Sequence, residues 1–291
     1  MHIAIVVHRH GSFGEASYWL EPISECWRES GIRVSVINDP RAHIEAELAI
    51  LHVDLTVIPR EYLSSVRRYS ATINGSVSDI SKRAISSHLV YRGDSYEGPV
   101  IVKTDRNDRG RQERRLARKG LSSPVRRDVL RNYLDHLKEE YRLARRAWRY
   151  GSTKVFREYP IFDSINGVPD AVWRDPEFVV ERFLPERHND RYCVRTWLFL
   201  GDRERHAIFY SYEPVIKSHN IIEYERLSEV PEALRRIRKD LKFDFGKFDY
   251  TMVNEQPVLF DANRTPTIGD FPKERYFPIA QSLANGIDSF L

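Results

Sequence analysis

The chain has 291 residues, enough for one large or two to three small domains, and its 41% hydrophobic and 12% aromatic content excludes a disordered polypeptide. Lys+Arg 46 against Asp+Glu 42 leaves a net charge of +4, which requires no nucleic-acid partner. The two cysteines, Cys26 and Cys193, have neither metal nor disulfide spacing, so they read as small core residues of a reducing compartment. The N-terminus MHIAIVVHRHG lacks a signal-peptide pattern and no segment has the apolar length of a membrane span, so a soluble cytoplasmic protein without a membrane partner is expected. Residues 2–7 predict a buried strand, 15–30 a helix with Trp19, Leu20, Ile23 and Trp27 on one side, and 32–37 a second strand. This is a β-α-β start of open-sheet type. The turn at 10–14 has glycines but not the GxGxxG order, so dinucleotide binding is not supported. His8, Arg9 and His10 end the first strand as substrate contacts or as plain loop residues.

Residues 48–53 predict a further strand, 62–69 a helix, and 71–75 a strand and turn, with a domain boundary near Val77. A short helix is expected over 79–89, with Asp79 as N-cap and Lys82 in its first turn. The strand at 99–103 ends on Lys103. The most basic stretch follows at 104–127, with Arg106, Arg109, Arg111, Arg114, Arg115, Arg118, Lys119, Arg126 and Arg127. It reads as a solvated mobile loop, as a lid over polyphosphate, or as a nucleic-acid face. The last lacks interleaved aromatics on which bases could stack. Helical spacing returns at 129–148, strand patterns at 154–161 and 178–183, and a short turn or helix at 168–173. Strands at 191–201 and 204–212 flank Gly201-Asp202, and helices are expected at 231–241 and 279–290.

The stretch 243–269 (FDFGKFDYTMVNEQPVLFDANRTPTIG) carries the clearest chemistry. Alternation over 247–253 and the apolar run 258–260 make a hairpin around a turn. With a loop of Asn254, Glu255 and Gln256, Val253 faces Pro257 and Asp249 faces Asp261. Asn263 then shares their face, because side chains alternate with period 2. Two opposed carboxylates repel, and a hard divalent cation such as magnesium would compensate them. A solvated face with incidental acids is the plain alternative.

Taken in order, the lysines Lys82 and Lys103, the strand into Glu181-Arg182-Phe183-Leu184-Pro185-Glu186, and the hairpin ending Asp261-Ala262-Asn263 resemble the ATP-grasp superfamily. The resemblance implies an α/β and α+β chain with an ATP-grasp fold. An N-terminal open-sheet domain (1–77) would precede a central half with the basic lid (78–180) and a C-terminal half with the metal hairpin (181–291). It implies ATP and Mg2+ as cofactors, with Lys82 and Lys103 on the phosphates. Glu181, Arg182 and Phe183 would form the adenine hinge, the first with a bland alternative as a solvent-facing residue. Glu186 would take the ribose hydroxyls, and Arg195 the transferred phosphoryl group unless it is a structural ion-pair partner. Asp249, Asp261 and Asn263 would be the metal ligands. The implied activity is a carboxylate–amine ligase acting through an acylphosphate on small-molecule or peptide substrates. A small-molecule phosphotransferase on the same scaffold, or a non-catalytic binder of an acidic partner, are the alternatives. Nucleic acid is not expected and a homodimer is a further option. His188 and His206 are candidate bases toward the amine. Two departures from the family pattern stand out: Asp261 replaces the usual Glu, and 104–110 keeps only Gly110 of a glycine-rich phosphate loop.

Overall fold

A computed structural model describes residues 1–11, 13–14, 18–121, 159–269 and 271–290. The helix expected over 129–148, the start of the 154–161 strand, Arg126 and Arg127 lie outside the described residues. The chain divides into two compact units, Met1–Ser86 with Pro185–Leu291, and Ser87–Leu184.

The larger unit begins with strands β1 (His2–Val7), β2 (Arg33–Ile37), β3 (Leu48–His52) and β4 (Ala71–Ile73), all parallel in the order β2-β1-β3-β4. Unbroken apolar runs suit strands covered on both faces. Ile3, Ile5 and Val7 pack with Leu20, Ile23 and Trp27 of helix α1 (Leu20–Glu29), while Ala4 and Val6 pack with Tyr62 and Val66 of helix α2 (Arg60–Val66). Helix α3 is only Lys82–Ile85, shorter than the 79–89 predicted. Asp79 is not its N-cap: the Asp79 Oδ1 accepts the Ser81 N–H at 2.7 Å, a local turn that holds the chain extended before the helix starts.

The smaller unit is built on β5 (Leu89–Val90), β6 (Val100–Thr104), β7 (Ile161–Phe162) and β8 (Phe178–Arg182), antiparallel in the order β5-β8-β6-β7. Val90, Val100, Val102, Val168, Val172, Phe178 and Val180 form its core. Between β6 and β7 lies helix α4 (Arg111–Leu121), where a solvated mobile loop was one reading. Its Gln, Glu, Arg, Leu and Ala are strong helix formers, and Leu116 is buried. A tight turn precedes it, with Asp108, Arg109 and Gly110 all left-handed (φ 41°, 57° and 67°). Helix α5 (Asp170–Arg174) leads into β8.

The chain then returns to the larger unit. Strands β9 (Glu186–His188), β10 (Arg191–Leu200), β11 (Arg203–Ser211), β12 (Glu223–Leu227), β13 (Phe245–Val253) and β14 (Gln256–Asn263) form one antiparallel sheet in the order β12-β11-β10-β13-β14, with β9 beside β10. β9 and β12 escaped the sequence pattern because they are short and mostly exposed, with no apolar alternation to mark them. One sheet face buries Trp197, Phe199, Phe248, Tyr250 and Ala262 against Leu234 of helix α6 (Glu232–Asp240) and against Ile80 and Ile85. The closing helix α7 spans Lys273–Ala284 with Pro278 inside it, and a 3-10 turn finishes the chain at Asn285–Phe290. The predicted helix of 279–290 starts after Pro278, whereas the observed helix starts earlier, runs through Pro278 and ends at Ala284. Trp27 donates its indole N–H to the Ala284 carbonyl at 2.8 Å, joining α1 to α7. Asn74, fully buried and left-handed (φ 59°), accepts the Asp244 and Phe245 N–H groups at 3.0 and 3.1 Å and donates to the Phe245 carbonyl at 2.7 Å. It fastens the parallel sheet to the start of β13. Among the described residues no helix is long and apolar enough to cross a membrane.

Candidate functional site

The β13–β14 hairpin pairs Asp249 with Asp261, as the sequence predicts, but by another route. The loop has two residues, not three: Val253 faces Gln256, and Asn254 and Glu255 are both left-handed (φ 48° and 64°). That is the geometry of a type I′ turn, whose twist matches the flanking strands. The one-residue slip is cancelled by a bulge between Asp249 and Tyr250, where the partner strand skips from Leu259 to Asp261. Beyond it the ladder is regular, Phe248 facing Ala262 and Lys247 facing Asn263. Phe248 and Ala262 point into the core. Lys247, Asp249, Asp261 and Asn263 therefore share the opposite face.

Two lysines answer the carboxylate clash in the larger unit. The Lys82 ammonium contacts Asp261 Oδ1, and the Lys247 ammonium lies 3.0 Å from Asp249 Oδ2. Lys82 is buried, with 6% of its surface exposed. Lys247 was missed by sequence reasoning, although its position two residues before Asp249 places it on the acid face. Burial lowers the Lys247 pKa, but Asp249 and Asp261 outweigh it and the net shift is upward. Asp249 Oδ1 accepts the Thr196 hydroxyl at 2.9 Å. Asn263 Oδ1 accepts the Thr265 N–H at 2.9 Å, and the Thr265 hydroxyl donates to Asp54 Oδ1 at 2.8 Å. Tyr18 donates to the other Asp54 oxygen at 2.7 Å. Arg264 is fully buried and donates to the carbonyls of Val77 at 2.7 Å and of Leu55 and Thr56, anchoring the segment after Asn263. Oxygen donors from two aspartates and an asparagine, on one rigid face, fit a hard cation such as Mg2+.

Glu186 and Arg195 come together as an ion pair. The Arg195 Nε lies 3.0–3.1 Å from both Glu186 oxygens, and its Nη2 donates to Oε1 at 2.7 Å. The Met252 N–H donates to Glu186 Oε2 at 2.8 Å. Burial raises the Glu186 pKa, but Arg195 and the Met252 amide outweigh it and hold it below the ordinary carboxylate value. Glu186, His188 and Cys193 offer ligand atoms within 4.8 Å of one another. Both Glu186 oxygens are already occupied by these donors, and burial and Glu186 push the Cys193 thiol up to about 12. The trio is thus poorly suited to hold a metal, and Cys193 is a poor nucleophile. His206 is not a candidate base. It is 3% exposed, its Nε2 lies 2.8 Å from the Tyr250 hydroxyl, and burial lowers its pKa to about 4. His52, at the carboxyl end of β3, is 3% exposed, has neither ring nitrogen hydrogen-bonded among the described residues, and is held near 3 by burial and then by Arg264. At the end of β1, Arg9 pairs with Glu61 at 2.8 Å, and the His8 ring stacks on Tyr62.

In the smaller unit, Lys103 on β6 lies 2.7 Å from Glu181 Oε2, and His88 Nε2 lies 3.5 Å from the same oxygen. Val179 is the ladder partner of Lys103 and Glu181 that of Ile101, so the contact runs diagonally across the strand pair. Glu181 is fully buried, which rules out the solvent-facing alternative. Burial pushes its carboxyl up, yet Lys103 and His88 overcome that and hold it near 2. The Arg182 guanidinium covers the Tyr96 ring at 5.1 Å, and the Arg182 and Phe183 N–H groups donate to the carbonyls of His88 and Pro99 at 2.9 and 2.8 Å.

No family model and no curated protein matches the chain in sequence. Among solved structures it is similar to a RimK domain protein, an ATP-grasp protein from Sphaerobacter thermophilus, at 11% identity and a TM-score of 0.46, covering 98% of this chain and 99% of that one. It is similar to the D-alanine–D-alanine ligase of Bacillus anthracis at 11% identity and a TM-score of 0.44, over 100% of this chain and 96% of that one. The ATP-grasp ligase PsnB, complexed with a minimal precursor, gives 11% identity and a TM-score of 0.48 over 98% of each chain.

Proposed function

We propose that the chain is an ATP- and magnesium-dependent ligase of ATP-grasp type, which activates a substrate carboxylate as an acylphosphate and joins it to an amine. The observation that carries this reading is the acid face of the hairpin, where Asp249 opposes Asp261, Asn263 shares their face and the Lys82 ammonium is already delivered to Asp261. Asp249, Asp261 and Asn263 would hold Mg2+, which when bound neutralises phosphate charge. Lys82 adds a fixed positive charge beside them, and Lys103 is assigned to the phosphates on the sequence resemblance. Adenine along Glu181, Arg182 and Phe183, and ribose at Glu186, are assigned on the same ground. Arg195, held by Glu186, is assigned to the phosphoryl group. The three segments 1–77, 78–180 and 181–291 are proposed as the functional divisions of the chain.

In the reaction, a carboxylate oxygen of the substrate attacks the γ-phosphorus of ATP and ADP departs. The amine nitrogen then adds to the acylphosphate carbonyl, inorganic phosphate leaves, and the nitrogen loses a proton. Positioning and charge stabilisation account for the rate, and no protein nucleophile is needed. Incubation with ATP, Mg2+ and pooled carboxylic acids and amines should release phosphate and give a product with the mass of an amide. Asp261→Ala should lower that turnover by about 100-fold or more, the scale of one lost preorganised contact. Unchanged turnover in this variant would overturn the metal assignment. A phosphorylated product in place of an amide would identify a phosphotransferase.

A further inference from the structure

The segment after β3 grips the segment after the hairpin, residue against residue. The Leu55 and Thr56 carbonyls accept the buried Arg264 guanidinium, and Asp54 Oδ1 accepts the Thr265 hydroxyl at 2.8 Å. Tyr18 steadies Asp54 from its other oxygen at 2.7 Å, and Trp19 donates its N–H to the Pro266 carbonyl at 2.9 Å. The Thr265 hydroxyl stands between two acceptors, because it also lies 3.4 Å from Asn263 Oδ1. That oxygen already accepts the Thr265 N–H at 2.9 Å. We propose that Asp54 is a positioning residue for the metal face: it draws the Thr265 hydroxyl hydrogen to itself and so leaves one lone pair of Asn263 Oδ1 for a divalent cation. This role rests on the ATP and metal reading above and extends that site to the carboxyl end of β3.

The chemistry follows from a count of hydrogens and lone pairs. A hydroxyl carries one hydrogen, and an amide oxygen accepts along two lone pairs. If the Thr265 hydroxyl donated to Asn263, its hydrogen and the Thr265 N–H would occupy both. A cation would then have to displace one of them. A charged acceptor prevents this. A hydrogen bond to a carboxylate is roughly twice as strong as one to a neutral oxygen. The contact to Asp54 is also the shorter of the two, 2.8 Å against 3.4 Å. Burial makes the choice firm: Thr265 is 2% exposed and Tyr18 5%, so little water competes at either hydroxyl. Outer partners of metal ligands set affinity by orienting the ligand atom, and Asp54 does so through Thr265. Asp54 and Thr265 stand 211 residues apart, so no local pattern in the sequence marks the pair.

The test is the Mn2+ concentration that half-saturates the full chain, measured by equilibrium dialysis in the presence of a β,γ-imido analogue of ATP. Asp54→Ala should raise it by about 10-fold, the low end for an outer partner of a metal ligand. Thr265→Val, which has no hydroxyl hydrogen to divert, should bind Mn2+ like wild type. The double variant Asp54→Ala with Thr265→Val should return to near the wild-type value. Loss of the Asp54 charge, or of a purely structural contact, would instead weaken the double variant as much as Asp54→Ala. That result overturns the proposal, as does unchanged affinity in Asp54→Ala or a comparable loss in Thr265→Val. Wild type that binds neither Mn2+ nor the analogue overturns the ATP reading and this role with it, an outcome distinct from failure of the rescue. Should Asp54→Ala fail to fold, Asp54→Ser, too short to hold the Thr265 hydroxyl, is held to the same outcomes.

Discussion

Lys103 meets Glu181 at 2.7 Å in the smaller unit, and Lys247 meets Asp249 at 3.0 Å on the hairpin of the larger one. Both contacts join a strand lysine to a strand carboxylate. They differ in what surrounds the acid. Glu181 has no exposed side-chain surface, and His88 closes on the same oxygen. Asp249 and Asp261 keep 18% and 26% of their side chains exposed. A fully buried carboxylate is committed to its cation, because losing it leaves a bare charge in low dielectric. A partly exposed carboxylate can exchange one cation for another at a smaller desolvation cost. The first arrangement holds its lysine in one fixed position, and the second leaves its acids able to take an ion.

The sharpest way to break this comparison is to remove one lysine from each region. Lys103→Met should destabilise the protein by about 3–5 kcal/mol in denaturant unfolding, by stranding Glu181. The double variant Lys103→Met with Glu181→Leu should recover most of that loss, since an apolar pair replaces a buried ionic one. Lys82→Met should cost far less stability and act mainly on nucleotide affinity. Equal stability losses in Lys103→Met and Lys82→Met would remove the distinction.

Acid should separate the regions in a second way. His52 and His206, both in the larger unit, have folded pKa values lowered by burial to about 3 and about 4 from 6.5. Their unfolded forms bind protons below pH 6.5 while the folded forms do not. Stability is therefore lost as pH falls from 6.5, by about 2 kcal/mol from each histidine at pH 5. Glu181 acts over a lower window. Burial raises its carboxyl, Lys103 and His88 lower it further to about 2, and its contribution is present above 4.5 and lost only as pH falls from 4.5 toward 2. Thermal unfolding between pH 7 and pH 5 should fall steeply, and His52→Leu should flatten that slope. A slope unchanged by His52→Leu would show that the ring is not buried in neutral form.

The smallest effect concerns the turn that sets the hairpin register. Glu255 is left-handed at φ 64°, a conformation that disfavours a side chain. Glu255→Gly should stabilise the chain by about 1 kcal/mol in urea unfolding and leave turnover with ATP and Mg2+ unchanged. Destabilisation would mean that Glu255 makes a contact worth more than its strain.

Much of the frame was legible in the sequence because it depends on local pattern. HIAIVV, LAILH and RVSVI read as strands from their apolar or alternating runs, and the parallel open sheet follows from the helices between them. What local pattern could not supply was the strand pair to which short polar segments belong, as with Glu186–His188 and Glu223–Leu227. Helix α4 was hidden by its charge, which marks solvent contact but not backbone conformation. In the hairpin, the acids were found opposite one another, yet a two-residue turn and a compensating bulge had to be seen to know why.

The sequence by itself determined that Lys247, Asp249, Asp261 and Asn263 could share one face, because alternation is a property of the extended backbone. Only the tertiary structure decided which cations meet those acids. Lys82 reaches Asp261 across 179 residues of chain, Arg264 is buried on carbonyls of Leu55, Thr56 and Val77, and Glu181 lies wholly inside its sheet. Such contacts depend on the folded path and on burial, which sets how strongly charges act. Neither is encoded in the spacing of neighbours along the chain.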